Sequence, residues 1–226
     1  MRAVVRFVAS VLLVSGALCL LDVGITLLWQ EPISALIGLT GQDELNDELA
    51  ALGEAMAEPT SSEFTEAEAR RLADEYEKRL RTGHAFGTIV LPKPDRSFAV
   101  VQGVEVGPLR KGPGHYDKKP VKTAIPGQGK TVGIAGHRTT YLAPFGTNER
   151  LQAGDEVVMK MPYGTFTYEV QKKEIVAPSK IEVLDDKGYE RLVLTACHPR
   201  FSAAQRLVVF AKLVRMEPAD RPRPSV

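Results

Sequence analysis

The chain has 226 residues, of which 44% are hydrophobic and 25% charged, with a formal net charge of +1. These are ordinary globular values, and so even a charge balance carries no footprint of nucleic-acid binding, which excludes nucleic acid as an expected partner. The length suits one domain with a sizeable core plus an appendage.

The first element in chain order is apolar. Residues 7–29 carry no charge except Asp22. As a helix rising about 1.5 Å per residue they would extend about 34 Å, enough to cross a hydrocarbon layer of about 30 Å. Arg2 and Arg6 precede this stretch while Glu31 and Asp43 follow it, so the positive-inside bias places the N-terminus in the cytoplasm and the rest outside. The competing reading is a cleaved signal peptide with 7–21 as its apolar region. No small-x-small site follows, and Leu18 stands where lipoprotein processing before Cys19 would need a small residue. The expectation is a single-pass anchor retained in the cell membrane, over residues 1–30.

Residues 31–83 turn acidic and alanine-rich and predict a helical stalk. Leu45, Leu49 and Leu52 form one stripe, Phe64, Ala67, Arg71 and Leu72 a weaker one, with Pro59-Thr60-Ser61-Ser62 as the break. A helix docking over the cleft of the domain is the functional alternative. From residue 84 the texture changes to short apolar runs punctuated by glycine and proline: 86–91, 98–102, 131–135, 156–161, 165–170, 191–196 and 207–214. They predict an antiparallel β domain over 84–216, with 217–226 as a disordered tail.

Three reactive side chains fall at ends of these runs. Cys197 follows Leu192-Val193-Leu194-Thr195-Ala196, Arg206 heads Leu207-Val208-Val209-Phe210-Ala211, and His137 closes Val132-Gly133-Ile134-Ala135-Gly136. A thiolate attacks, a histidine moves the proton and a guanidinium stabilises an oxyanion, so the set is a candidate acyl-transfer site. With Cys19 in the anchor and Cys197 outside, the two cysteines cannot pair, and a lone thiol in an exported domain is a candidate nucleophile.

Several ordered segments resemble the sortases: Gly112-Pro113-Gly114-His115-Tyr116, Gly136-His137-Arg138-Thr139-Thr140-Tyr141, Gly154-Asp155, Leu194-Thr195-Ala196-Cys197-His198-Pro199 and Arg206-Leu207-Val208-Val209. The likeness runs over residues 86–214 and is greatest to class E sortases of high-GC Gram-positive bacteria, which share the His-Arg-Thr-Thr-Tyr stretch and the His-Pro after cysteine. The general pattern around the nucleophile, Thr-Leu-x-Thr-Cys, is here Val193-Leu194-Thr195-Ala196-Cys197, with both threonines replaced.

The resemblance implies a closed, all-β sortase-type barrel of about eight strands with short helices. It also implies a cysteine transpeptidase that needs no cofactor. Cys197 would attack the Thr-Gly bond of a Leu-Ala-x-Thr-Gly-like sorting signal near the C-terminus of a secreted protein, and the resulting thioester would pass to an amine. That amine belongs to a lipid II-like peptidoglycan precursor or, in pilin-building relatives, to a lysine. His137 would carry the proton and Arg206 the oxyanion. Tyr141, Thr195, Ala196 and His115 are candidate substrate-binding residues, and His198, as the neighbour of Cys197 on an extended chain, would point away.

No metal is expected. Glu169 and Glu174 are the only acids between 165 and 180, thin for calcium, and His137, Cys197 and His198 lack the paired spacing of a zinc site. Of the rival classes, an L,D-transpeptidase would carry a Ser-His-Gly-Cys run that is absent here. A membrane-tethered binding module would explain anchor, stalk and β domain without chemistry.

Overall fold

The structure is a computed structural model and describes residues 1–28, 32–56 and 64–219. The Pro59–Ser62 break and the end of the tail from 220 lie outside the described residues, as does Trp29 at the end of the apolar stretch.

Helix α1 (Arg2–Leu28) contains a span of 24 residues, Arg2–Ile25, within which an 18-residue stretch has mean hydropathy 2.4 and no part buried against the protein. By length and composition it is the one described helix fit to cross a membrane. Helices α2 (Pro32–Ala55) and α3 (Glu66–Glu77) form where the acidic segment predicted helices, and both pack on the β domain. On α2, Leu45 is fully buried with Leu49 and Leu52 packed beside it. On α3, Thr65 caps the Glu68 amide, and Leu72, Ala73 and Tyr76 enter the core, where the Tyr76 hydroxyl donates to the Phe86 carbonyl at 3.0 Å.

Ten strands follow: β1 (Ala85–Pro92), β2 (Asp95–Gln102), β3 (Gly114–His115), β4 (Asp117–Lys118), β5 (Val121–Lys122), β6 (Thr131–Gly136), β7 (Glu156–Met161), β8 (Gly164–Val176), β9 (Arg191–His198) and β10 (Gln205–Pro218). A short helix α4 (Val106–Lys111) precedes β3. Eight strands close a barrel in the order β1-β2-β3-β6-β9-β10-β8-β7, and β4 pairs with β5 as a small separate ribbon. Closure removes most sheet edges. On the side of β2 away from β1, where pairing with β3 covers only Val101 and Gln102, the Gln42 side chain of α2 takes the place of a strand at Ala99: its Oε1 accepts from the Ala99 amide at 2.7 Å and its Nε2 donates to the Ala99 carbonyl at 2.9 Å.

Two pairings depart from the antiparallel expectation. β3 runs parallel to β2, and β6 runs parallel to β9. The second matters most for function, because parallel neighbours bring their C-terminal ends together. Strand β10 also continues to Pro218, into the segment predicted as tail.

Candidate active site

The register fixes the site. Gly136 at the end of β6 pairs with Ala196 of β9, so the next residues on the two chains are His137 and Cys197. Across the other side of β9, Cys197 is the direct partner of Arg206. Neighbouring strands lie about 4.8 Å apart, so three adjacent strands present histidine, cysteine and arginine in a row.

Alternation settles which face they use. Leu192, Leu194 and Ala196 of β9 point into the barrel core, while Val193 belongs to a second cluster on the outside with Val208 and Phe210 of β10. Thr195 and Cys197 follow Val193 at intervals of two, and Arg206 precedes Val208 by two, so all lie on this outer face. Gly133 of β6 faces the same way, towards Leu184, Thr123 and Tyr116.

Each member has a distinct environment. Cys197 is a free, half-buried thiol. His137 is half-buried with its ring 4.9 Å from that of Tyr141, and burial pulls its pKa below the usual 6.5 by penalising the imidazolium. Arg206 donates from Nη1 to the carbonyls of Ala203 and Gln205 at 2.9 and 3.0 Å. Its guanidinium is thus tied to its own loop by exposed bonds, which are cheap to exchange.

The loop after His137 is unusual. Tyr141, Leu142 and Ala143 all have positive φ, at 49°, 65° and 45°, and three successive non-glycine residues in the left-handed region store strain of about 1–2 kcal/mol each. Arg96 donates to the Leu142 carbonyl at 2.8 Å, and the Ser34 hydroxyl of α2 accepts from the Tyr141 amide at 3.2 Å. These contacts hold Tyr141 against His137.

Two further candidates of the sequence reading lie elsewhere. Ala196 is 3% exposed and packs in the barrel core, on the face opposite to Cys197. His115 is 1% exposed, stacked on Phe86 with ring centroids 4.3 Å apart. Its Nε2 lies 2.9 Å from the Ala124 carbonyl and its Nδ1 2.9 Å from the Gln102 side-chain amide, so both ring nitrogens are engaged inside the wall. Thr195 is on the site face, its hydroxyl 2.8 Å from that of Tyr116.

Tyr116 and Arg138 are site residues to which the sequence reading gave no role. Tyr116 lies over β9 close enough to feel the charges of both Arg206 and Cys197; burial raises its pKa, the Thr195 bond and Arg206 oppose the rise, and Cys197 adds to it. Arg138 is 5% exposed. It donates to Glu149 at 2.6 Å, to His198 Nδ1 at 3.0 Å and, more weakly, to the Cys197 carbonyl at 3.4 Å. One residue thereby ties the chain beyond His137 to the chain beyond Cys197, and it engages the His198 ring. Both residues sit within the quoted sequence segments, but only the strand pairing shows what they touch.

A hollow lined by Arg70, Asp74, Glu77, Lys122 and Gln128 opens beside Thr131 at the start of β6. That is the end of the strand away from His137, and its mixed charges include no nucleophile. No three His, Cys, Asp or Glu side chains converge among the described residues.

A closed barrel with cysteine, histidine and arginine on adjacent strand ends defines a class, and comparison with known proteins agrees. The family model described as Sortase domain matches residues 89–214, and the chain belongs to the sortase family. It is 30% identical over 155 residues to sortase SrtE1 of Streptomyces coelicolor, covering 63% of this chain, and 32% identical over 138 residues to sortase D of Bacillus subtilis, covering 59%. The matches span less than two thirds of these curated relatives, 44% and 66% of their lengths. Among solved structures, sortase E1 from Streptomyces coelicolor with a tripeptide in the active site superposes with a TM-score of 0.59 at 29% identity, covering 64% of this chain and 98% of that one. Sortase E from Streptomyces avermitilis does so with a TM-score of 0.54 at 33% identity, covering 63% and 97%. The fold is the sortase barrel.

Proposed function

We propose that the unit over 84–216 is a cysteine transpeptidase with Cys197 as nucleophile, His137 as proton carrier and Arg206 as oxyanion donor. The observation that carries this reading is the register: Cys197 faces Arg206 across β9 and β10, and His137 leaves the parallel neighbour one step beyond the Gly136–Ala196 pair.

The chemistry follows from the groups. The thiol proton passes to His137, and burial, which disfavours a lone imidazolium, is offset because thiolate and imidazolium form as a neutral pair. Sulfur bonds to the carbonyl carbon of the Thr-Gly peptide, and the oxyanion takes its hydrogen bonds from Arg206 once that side chain leaves the Ala203 and Gln205 carbonyls. Collapse breaks the C–N bond, with the imidazolium giving its proton to the departing glycine amine. An incoming amine then attacks the thioester and gives its proton to His137. The C–S bond breaks and the thiolate is restored.

Resemblance to class E sortases favours a Leu-Ala-x-Thr-Gly-like signal on secreted proteins and an amine on a cell-wall precursor. On that resemblance Tyr141, whose ring lies 4.9 Å from that of His137, would meet the substrate's second position. The same reading puts α1 across the membrane with the N-terminus inside and the barrel outside.

Incubation with a Leu-Ala-x-Thr-Gly peptide and an amine acceptor should give a thioester adduct on Cys197 and a transpeptidation product. Cys197→Ala should abolish both while the barrel still melts cooperatively. Turnover retained in a clean Cys197→Ala preparation refutes the mechanism, and a greater loss in His198→Ala than in His137→Ala refutes the assignment of the proton carrier.

A further inference from the structure

Helix α2 has two faces that divide its length unequally. Ser34, Gly38, Gln42 and Leu45 are buried against the barrel and the strained loop after His137. At Gly38 a side chain would fall 2.9 Å from Leu142 Cγ, so only glycine lets the helix lie this close. The opposite face changes character along the helix. Over its first two turns it is apolar: Ile33 and Leu36, 71% and 64% exposed, lie on it, and Ile37 and Leu39, 42% and 52% exposed, lie on its two flanks. Thr40, the one hydroxyl there, donates back to the Ile37 carbonyl at 3.0 Å and so presents no unsatisfied donor. Beyond it the same face carries Asp43, Asp47 and Glu54, all exposed.

A solvated spacer helix has no cause to expose large aliphatic side chains on and beside the outward face of its beginning and carboxylates on that face afterwards. The switch is what a bilayer boundary near Thr40 would select, because acidic groups are held away from an anionic surface while aliphatic ones enter it. The membrane is also within reach. Ile33 is five residue steps on from Leu28, the last residue of α1, and five steps of chain extend at most about 18 Å.

We propose that the first two turns of α2 lie in the interfacial layer of the bilayer, with Ile33, Leu36, Ile37 and Leu39 as the contact. Because the inner face of the same turns holds Tyr141 and Leu142, this contact sets the His137 loop at the membrane surface, where a membrane-borne substrate or acceptor is presented. The inference rests on α1 spanning the bilayer and is independent of the reaction proposed above.

The test uses the full chain reconstituted in phosphatidylcholine/phosphatidylglycerol vesicles, with Trp29→Phe removing the single native tryptophan. Leu36→Trp is compared with Asp47→Trp on the same face. Tryptophan at 36 should show blue-shifted emission, strong quenching by lipids brominated on the acyl chain and protection from aqueous iodide; tryptophan at 47 should show the reverse. Equal iodide access at the two positions overturns the contact. Shielding of position 36 from both quenchers overturns it in favour of a second copy of the chain on this face. A chain that fails to float with the vesicles overturns the span and the contact together. None of these readouts depends on turnover.

Discussion

His115→Gln separates a wall residue from a substrate-binding one through its pH dependence. The buried ring has its pKa lowered to about 4 by desolvation, reinforced by the charge of Lys122 and opposed by the Ala124 carbonyl, Asp117 and Glu77. In the unfolded chain the ordinary value near 6.5 returns. Between pH 6.5 and 4 the unfolded state therefore binds a proton that the folded state refuses, and stability falls as pH falls through this window. At about 1.4 kcal/mol per unit the full effect is on the order of 3 kcal/mol, most of it felt by pH 4.5. Glutamine loses the stack on Phe86 and a ring hydrogen bond, together about 1–3 kcal/mol, but has no proton to take up. Urea unfolding of residues 32–219 should thus find the variant less stable than wild type at pH 7.5 and level with it or more stable at pH 4.5. Titrating carboxylates cancel in the difference. A wild-type-to-variant gap that does not change with pH refutes the argument, and loss of kcat/KM at pH 7.5 with an intact melt would return His115 to the substrate path.

Gly136→Ala would set a Cβ 2.5 Å from Cδ2 of the fully buried Phe145; overpacking should cost about 1–3 kcal/mol, and the displaced His137 should lower kcat/KM at least about tenfold, so a variant with normal melting and turnover contradicts the packing. Arg206→Lys keeps the charge but loses the planar fork, and a missing oxyanion donor is worth about a hundred- to a thousandfold in turnover. The lysine variant should therefore fall most of the way to Arg206→Ala, and near-normal turnover removes Arg206 from the catalytic set. In Cys197→Ala, with no thiolate to stabilise the imidazolium, burial should hold the His137 pKa below 6.5; an NMR titration midpoint at or above that value refutes the assigned environment.

Seven of the eight barrel strands were legible because each is a run of apolar or alternating residues long enough to show a period. Strands β3, β4 and β5 are two residues each, too short for any periodicity, and β3 is the one that completes the barrel between β2 and β6. Helix α3 was visible as a helix but its buried stripe only in part. The sequence pointed to Phe64, Ala67, Arg71 and Leu72; Leu72 is buried and Phe64 packs against the core, but Ala67 and Arg71 are exposed and the rest of the inward face is Glu68, Ala69, Ala73 and Tyr76. The inward face includes a glutamate, tied to Arg71 by two hydrogen bonds of 3.0 and 2.8 Å, and two alanines whose small side chains suit close approach to the barrel. Neither residue type registers strongly in a hydrophobic pattern.

The candidate site was legible as residue types and illegible as an arrangement, and the parallel pairing of β6 with β9 explains both. Strand ends could be read locally, which is why Cys197, His137 and Arg206 stood out. Parallel neighbours must be joined by a long crossover, so nothing near His137 in sequence says that Cys197 lies beside it. The residues that secure the pairing are hidden for the same reason. Arg138 reads as an ordinary surface cation until its neighbour strand is known. It then becomes a buried guanidinium spanning Glu149, His198 and the Cys197 carbonyl, with its Nε left without a partner among the described residues. A buried charge of this kind is tolerated only where its partners over-determine it. Here the partners are the two chain segments that the proposed mechanism needs in register for a proton to pass between sulfur and imidazole, so the cost of burying Arg138 falls on the contact which that proposal depends on.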